Sequence, residues 1–373
     1  MRRPAPPLAS SSLGDANRAA YLALLPAVSI WESPPRRPPR SGGLSHTLFT
    51  NRGYPGRALV RRVLLATPRG FCAGVERAVE TVERALGLYG APVYVRKQIV
   101  HNRHVVDELQ RQGAVFVDSV DEVPVGGPLV FSAHGVAPAV RDAADARRLE
   151  TIDATCPLVT KVHTQARRYA DAGYAIAFVG HGGHEEVEGT TGEAPDAITL
   201  VESVEGARAV QLPDDRPLAY ITQTTLSIDE TREIVDVLRA RYPQIVAPAK
   251  EDICYATTNR QRAVKELVDE CDVLLVIGSR NSSNSKRLVE VAHAAGVDAH
   301  LVDDAGEIDE RWLEDADTAG LTSGASAPER LVRDVCEWFR ARGVDDISEH
   351  GSEREDVVFR LPVELRRAQR SAA

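Results

Sequence analysis

Three of the five cysteines sit in one local setting: an apolar run, a short polar turn, then a cysteine that opens a helix-like stretch. Cys72 follows Val63-Leu64-Leu65-Ala66 and the turn Thr67-Pro68-Arg69-Gly70-Phe71, Cys156 follows Thr151-Ile152-Asp153-Ala154-Thr155, and Cys254 follows Glu251-Asp252-Ile253. At a helix N-terminus a cysteine meets the positive end of the peptide dipole, which favours its thiolate. Three such thiolates brought to one point would make a soft-metal site, and their wide separation (84 and 98 residues) does not match a CxxC zinc ribbon. On a cubane iron–sulfur cluster, three ligands would leave one iron without a protein ligand, free to act as a Lewis acid toward oxygen. Any one of these cysteines alone reads first as a small buried hydrophobe. The threefold recurrence reverses that preference. Cys271, before an apolar strand, and Cys336, within an amphipathic helix, lack the setting and read as core.

Other polar residues recur at strand ends. His101, His134 and His184 each follow an apolar run. Ser282, Ser283, Asn284 and Ser326 offer hydroxyls, an amide and exposed backbone N–H groups near helix starts, which suits phosphate oxygens; an ordinary N-cap is the plainer reading of each. Glu186, two residues after His184, would have a raised pKa near a metal and away from water, and so deliver protons. Glu185 and Glu188 are its neighbours, and residue chemistry alone does not choose among the three. Thr224 and Thr225 suit either a hydroxyl substrate or a helix cap. No Walker loop with its lysine is present, so nucleotide hydrolysis has no support.

Strands alternating with helices must position these groups. The pattern predicts parallel α/β sheets with right-handed crossovers, whose ligands lie beyond the carboxyl ends of the strands. Three units follow in order, 63–155, 156–251 and 252–345, each running from a cysteine-led helix through two polar loops. Residues 346–373 form a tail in which Val357 to Pro362 reads as a short strand. Residues 1–62 carry ten arginines, no lysine, only two acids (Asp15 and Glu32) and nine of the 22 prolines. They are expected to form a disordered, dispensable extension; an arginine-rich, acid-poor leader also fits a transit peptide.

At 373 residues the chain exceeds the size of one usual core. Its net charge of −9 gives no reason to expect nucleic-acid binding, and no apolar run approaches a membrane span. An odd, scattered cysteine count without a secretory signal points to reduced cytoplasmic thiols rather than a disulfide framework.

Nine stretches taken in order resemble the 4-hydroxy-3-methylbut-2-enyl diphosphate reductases of the non-mevalonate isoprenoid route. They are Gly70 to Val75, Val100-His101-Asn102, Ser132 to Val136, Asp153 to Val159, Glu186-Val187-Glu188-Gly189-Thr190, Thr222 to Ser227, Asp252 to Thr257, Ser279 to Ser285 and Thr322 to Ser326. The resemblance spans about residues 63–345. It implies a pseudo-threefold trefoil of three α/β domains around one [4Fe–4S] cluster on Cys72, Cys156 and Cys254. It further implies a diphosphate held by His101, His134, His184, Ser282, Ser283, Asn284 and Ser326, proton delivery by Glu186, and placement of the substrate hydroxyl at the open iron with help from Thr224. Ferredoxin or flavodoxin with its reductase would supply electrons. Two departures stand out: Lys97-Gln98 where His-Glu is common, and Glu185 in place of a frequent proline. Two other readings stay open on the residues alone: another three-cysteine cluster dehydratase, such as a quinolinate synthase-like enzyme, and a non-catalytic iron–sulfur redox sensor.

Overall fold

The computed structural model describes residues 59–372, which fold into parallel sheets with helices on their faces. The first sheet orders its strands Ala114–Val117, Val93–Arg96, Pro128–Phe131 and Glu150–Asp153. The second orders Ile198–Val201, Ala175–Val179 and Leu218–Thr222, with Val246 bridging to Ala219 at the open edge. The third orders Asp298–Val302, Val273–Ile277, Thr318–Ser323, Arg62–Ala66 and Asp346–His350. All strand pairs are parallel. In each sheet the strand after a cysteine-led helix pairs on both sides with the two strands that follow it.

Local sequence explains the elements. The strand Val273–Ile277 is apolar throughout because helices cover both faces, and all five of its residues are buried. In the helix Ala73–Tyr89, Val75, Ala78, Val82 and Ala85 recur at helical spacing and are buried. Asn102, Ser227 and Ser282 cap helices by accepting from backbone N–H groups three residues on.

Two sequence expectations need correction. The repeat pattern predicts a first unit that begins at residue 63, with 1–62 outside the fold. Instead Arg62–Ala66 lies inside the third sheet, Leu64 registering with Gly320 on one side and Ser348 on the other. Val60 is buried and Leu59 packs on the same core. The reason is cyclic: Glu150–Asp153 precedes Cys156 at the edge of the first sheet, and Val246 precedes Cys254 at the edge of the second. Arg62–Ala66 fills the corresponding place before Cys72, in the third. Each cysteine therefore stands where the chain leaves one sheet for the next. The rest of the expected extension, residues 1–58, lies outside the described residues. The tail also differs. Asp346–His350 is its strand, 351–362 is irregular, and Val363–Ala372 is a helix whose Leu365 is buried in the core of the first sheet. Among the described residues no helix is long and apolar enough to cross a membrane.

The end of the third sheet is packed tightly around Ser285. This fully buried residue donates to Ser282 Oγ at 3.0 Å, and a Cβ at either Gly278 or Gly324 would collide with its Oγ. Gly324→Ala should therefore destabilise the protein by about 1–3 kcal/mol, since overpacking forces neighbours off their rotamers. Ser285→Gly in the same chain should recover part of that loss; additive costs in urea denaturation would show that the contact is not the cause.

Candidate active site

The three cysteines occupy N-cap positions of the helices Ala73–Tyr89, Pro157–Asp171 and Tyr255–Leu267. Their backbone N–H groups are tied alike. Cys72 donates to Ala325 O at 3.2 Å, Cys156 to Ala133 O at 3.0 Å and Cys254 to Thr224 O at 3.0 Å. Each acceptor lies just beyond the strand that ends beside that cysteine, so three equivalent bonds bring the thiols to one cavity of about 100 Å³. A Cβ at Gly74 would stand 2.8 Å from Cys156 Sγ and 3.7 Å from Cys72 Sγ, so only glycine leaves the sulfurs room.

Burial corrects the expectation about the helix dipole. Desolvation pushes the Cys156 thiol up to about 12 and Cys254 to about 11, with Cys72 adding repulsion to both, and it raises Cys72 as well. The backbone N–H groups pull the other way without prevailing. Bare thiolates are disfavoured here, so the three ionise together only onto a cation. Thr257 supports that use, as its N–H lies 3.4 Å and its Oγ1 3.1 Å from Cys254 Sγ. Three convergent soft donors fit an iron–sulfur centre.

Every other candidate residue lines the same cavity: Glu186, Thr224, His101, His134, His184, Ser282, Ser283, Asn284 and Ser326. Glu186 is 1 % exposed and held by one residue, Thr224, whose N–H reaches Oε1 at 2.7 Å and whose Oγ1 donates to Oε2 at 2.9 Å. Burial raises its carboxyl pKa, while the Thr224 bonds and His134 lower it by less. This separates Glu186 from Glu188, which the sequence leaves as a rival, and from Glu185, which pairs with His134.

The histidines form a cluster. His101 stacks on His134 at 4.0 Å between ring centroids, and His184 stands edge-on to both at 5.2 and 5.7 Å. Burial, then its histidine neighbours, pushes His101 down; the same causes bring His184 to about 3. Asn284 accepts from Ala325 N–H at 2.9 Å and donates to Thr257 Oγ1 at 3.3 Å. Ser326 Oγ donates to His101 O at 2.9 Å and Ser283 Oγ to Thr225 O at 3.3 Å. The last two bonds join loops of different sheets.

Some functional neighbours are not evident from the sequence. Thr257, three residues after Cys254, has a usable signal in its N-terminal position. Arg260 has none: its wholly buried guanidinium donates to Gly70 O (2.8 Å), Ala256 O (3.0 Å) and the tail residue Glu355 (3.0 Å). Its charge acts on Cys72. A larger cavity, about 290 Å³, lies behind the second sheet along the helix Ile228–Arg241; its buried carboxylate, Asp252, is already paired with Lys161 at 3.0 Å.

The raised Glu186 carboxyl makes stability depend on pH. A folded-state pKa above the unfolded value of about 4.5 gives a contribution complete below that pH and lost as pH rises through the raised value. Glu186→Gln has nothing to lose, so in iron-free protein its stability relative to wild type should increase between pH 5 and pH 8. A pH-independent difference in urea midpoints would contradict burial as the cause.

Comparison with known proteins agrees with this geometry. The model of the family described as LytB protein matches residues 63–340. A 4-hydroxy-3-methylbut-2-enyl diphosphate reductase of Acidothermus cellulolyticus is 62% identical over 308 residues, covering 82% of this chain and 91% of that protein. One of Nocardia farcinica is 58% identical over 311 residues, covering 83% and 93%. The fold is similar to that of the E-1-hydroxy-2-methyl-but-2-enyl-4-diphosphate reductase of Plasmodium falciparum, with a TM-score of 0.80, 37% identity, and coverage of 84% of this chain and 99% of that one. A family match running from the strand before Cys72 through the last helix of the third sheet, with relatives this similar over four-fifths of the sequence, makes the chain a member of the LytB family.

Proposed function

We propose that this chain reduces (E)-4-hydroxy-3-methylbut-2-enyl diphosphate, with loss of water, to isopentenyl and dimethylallyl diphosphates. The observation that carries the proposal is the convergence of three thiols, a buried acid and an anion-binding set from all three sheets on one cavity. Cys72, Cys156 and Cys254 would hold one [4Fe–4S] cluster, which would relay electrons one at a time from an external donor and offer an iron free of protein ligands.

The chain's own residues do the rest. Glu186, kept protonated by burial, stands ready to give its proton to the departing hydroxyl. Thr224, already bonded to both carboxyl oxygens, orients that hydroxyl and returns Glu186 to one position after each transfer. Ser282, Ser283, Asn284 and Ser326 offer donors at the start of the helix Ser283–Ala294 and beside it, where amide dipoles favour phosphate oxygens. His101, His134 and His184 close the other side. Two electrons and two protons enter, water leaves, and the carbon skeleton gains one hydrogen at either of two positions. Ferredoxin or flavodoxin with its reductase is the proposed electron source, in the cytoplasm.

The alternative readings fare worse. The serine, asparagine and histidine set favours a diphosphate over a dicarboxylate substrate, and a redox sensor would not require the Glu186–Thr224 pair.

The test is anaerobic purification with iron and sulfide analysis, then assay of the diphosphate with a reduced donor. Replacing any one of the three cysteines with Ser should lower cluster content, whereas Cys271→Ala and Cys336→Ala should retain it. Glu186→Gln should keep cluster and substrate binding while turnover falls about 10²- to 10⁴-fold, the usual contribution of a positioned acid. Near-normal turnover would remove Glu186 from the mechanism.

A further inference from the structure

One carboxylate beside the histidine cluster has no part in the chemistry above. Glu185 opens the helix Glu185–Glu193 of the second sheet, and its Oε2 lies 2.9 Å from Nδ1 of His134, in a loop of the first. Both side chains are largely covered, at 16 % and 14 % exposure, and Ser132 Oγ stands 3.5 Å from each of the two atoms. A carboxylate oxygen at this distance is best met by a ring N–H, an arrangement that places the His134 proton on Nδ1. In the neutral ring Nε2 is then a bare lone pair. His184 is wired the opposite way: its Nδ1 accepts from the Glu186 N–H at 3.1 Å, which leaves its proton on Nε2. Two histidines of one cavity thus offer different groups to an anion, a donor from His184 and an acceptor from His134.

A lone pair and a carboxylate facing a diphosphate both repel it, and one proton removes the conflict. We propose that Glu185 is a positioning residue of the anion pocket: by fixing the proton of His134 on Nδ1, it makes diphosphate binding carry one further proton, shared between Nε2 and a phosphate oxygen. The proton comes from solvent, and only N–H or O–H bonds are made. The proposal rests on the diphosphate reading of this cavity.

The groups around His134 support the assignment. His101 is stacked against it and His184 is edge-on, both pushed down by burial and so neutral. Glu186 is buried, which raises its carboxyl pKa, and His163, close to Gly135, is already paired with Glu193 at 2.8 Å. Lys286 acts on His101 and His184 from the third sheet. Of the three clustered histidines, His134 is the one with a carboxylate in hydrogen-bond contact to offset a positive ring. Donor atoms of His101, His134 and Glu185 also lie within 4.8 Å of one another, as a divalent ion would need. However, the rings of His101 and His134 are nearly parallel (17°), and Nδ1 is engaged at hydrogen-bond distance, which favours a proton over a metal.

The test is calorimetry of inorganic pyrophosphate binding to the cluster-loaded protein in PIPES and in Tris at one pH, whose enthalpy difference counts protons. Wild type should take up nearly one proton more than Glu185→Gln or Glu185→Pro, and both variants should bind about tenfold more weakly. Equal counts in all three would overturn the proposal. So would Zn²⁺ competing with pyrophosphate in wild type and failing to do so in both variants, which would make the cluster a cation site. Nitrogen-15 spectra of histidine-labelled wild type need no folded variant: a His134 proton on Nε2 alone would also overturn it. If wild type binds no pyrophosphate, the diphosphate reading itself fails, a result distinct from binding without the extra proton.

Discussion

Three backbone hydrogen bonds, from Cys72, Cys156 and Cys254 to the carbonyls of Ala325, Ala133 and Thr224, set the geometry on which the site depends. Each joins the start of one cysteine-led helix to the loop beyond a strand of the neighbouring sheet. The bond uses no side chain, so the residue at the acceptor position is free to differ, and it does: alanine twice and threonine once. The threonine is the one that also grips Glu186. Repetition fixes the thiol end of the cavity, and departure from repetition supplies the partner of its buried acid. The ring closes only because Arg62–Ala66 joins the third sheet, putting the segment that leads to Cys72 in the place held before Cys156 by Glu150–Asp153.

Burial acts on six groups of the cavity in one direction, toward the uncharged form. Thiols and Glu186 go up, and His101 and His184 go down. A pocket of neutral groups gains little by electrostatics until a charged guest arrives. A cation on the sulfur side offsets the cost of three thiolates; an anion on the histidine side meets N–H and O–H dipoles already aimed by short bonds within the protein. The exception is Arg260, charged and fully buried near Cys72. It stays so because Glu355 and two carbonyls surround it, and removing Glu355 would leave a buried charge uncompensated.

The residues of the site are legible in the sequence and its closure is not, for physical reasons. A cysteine, serine or asparagine at a helix start is a local feature, visible because a hydrophobic period begins just after it. Strand ends are local too, so the chain's own pattern places Cys72, His134 and Ser326 at the same end of their sheets. Which strands pair is non-local. Nothing in Arg62–Ala66 distinguishes a strand of the first sheet from one of the third, and only the register with Thr318–Leu321 and Asp346–His350 decides it. The tail is less legible still. Val357 to Pro362 has strand-like composition, but its neighbours serve other contacts: Glu355 holds Arg260 and Asn259, and the Arg360 carbonyl accepts from Arg77 at 2.8 Å. Choosing Glu186 over Glu185 and Glu188 likewise requires knowing where Thr224 lies.

On the proposed function, the division of labour among the sheets separates grip from chemistry. His101 and His134 come from the first, His184 from the second, and Ser282, Ser283, Asn284 and Ser326 from the third, so holding an anion depends on all three staying together. Their loops are joined across each boundary by one bond of this set: His134 to Glu185, Ser283 to Thr225 and Ser326 to His101. Glu186 and Thr224, by contrast, both belong to the second sheet, where they follow its paired strands Ala175–Val179 and Leu218–Thr222. A small shift between sheets would loosen the anion contacts first and leave the acid pair intact, because the two are positioned by different parts of the fold. On the proposed function, proton delivery would be set by a pair held within one sheet and affinity by the bonds at the boundaries, so the two could be altered separately.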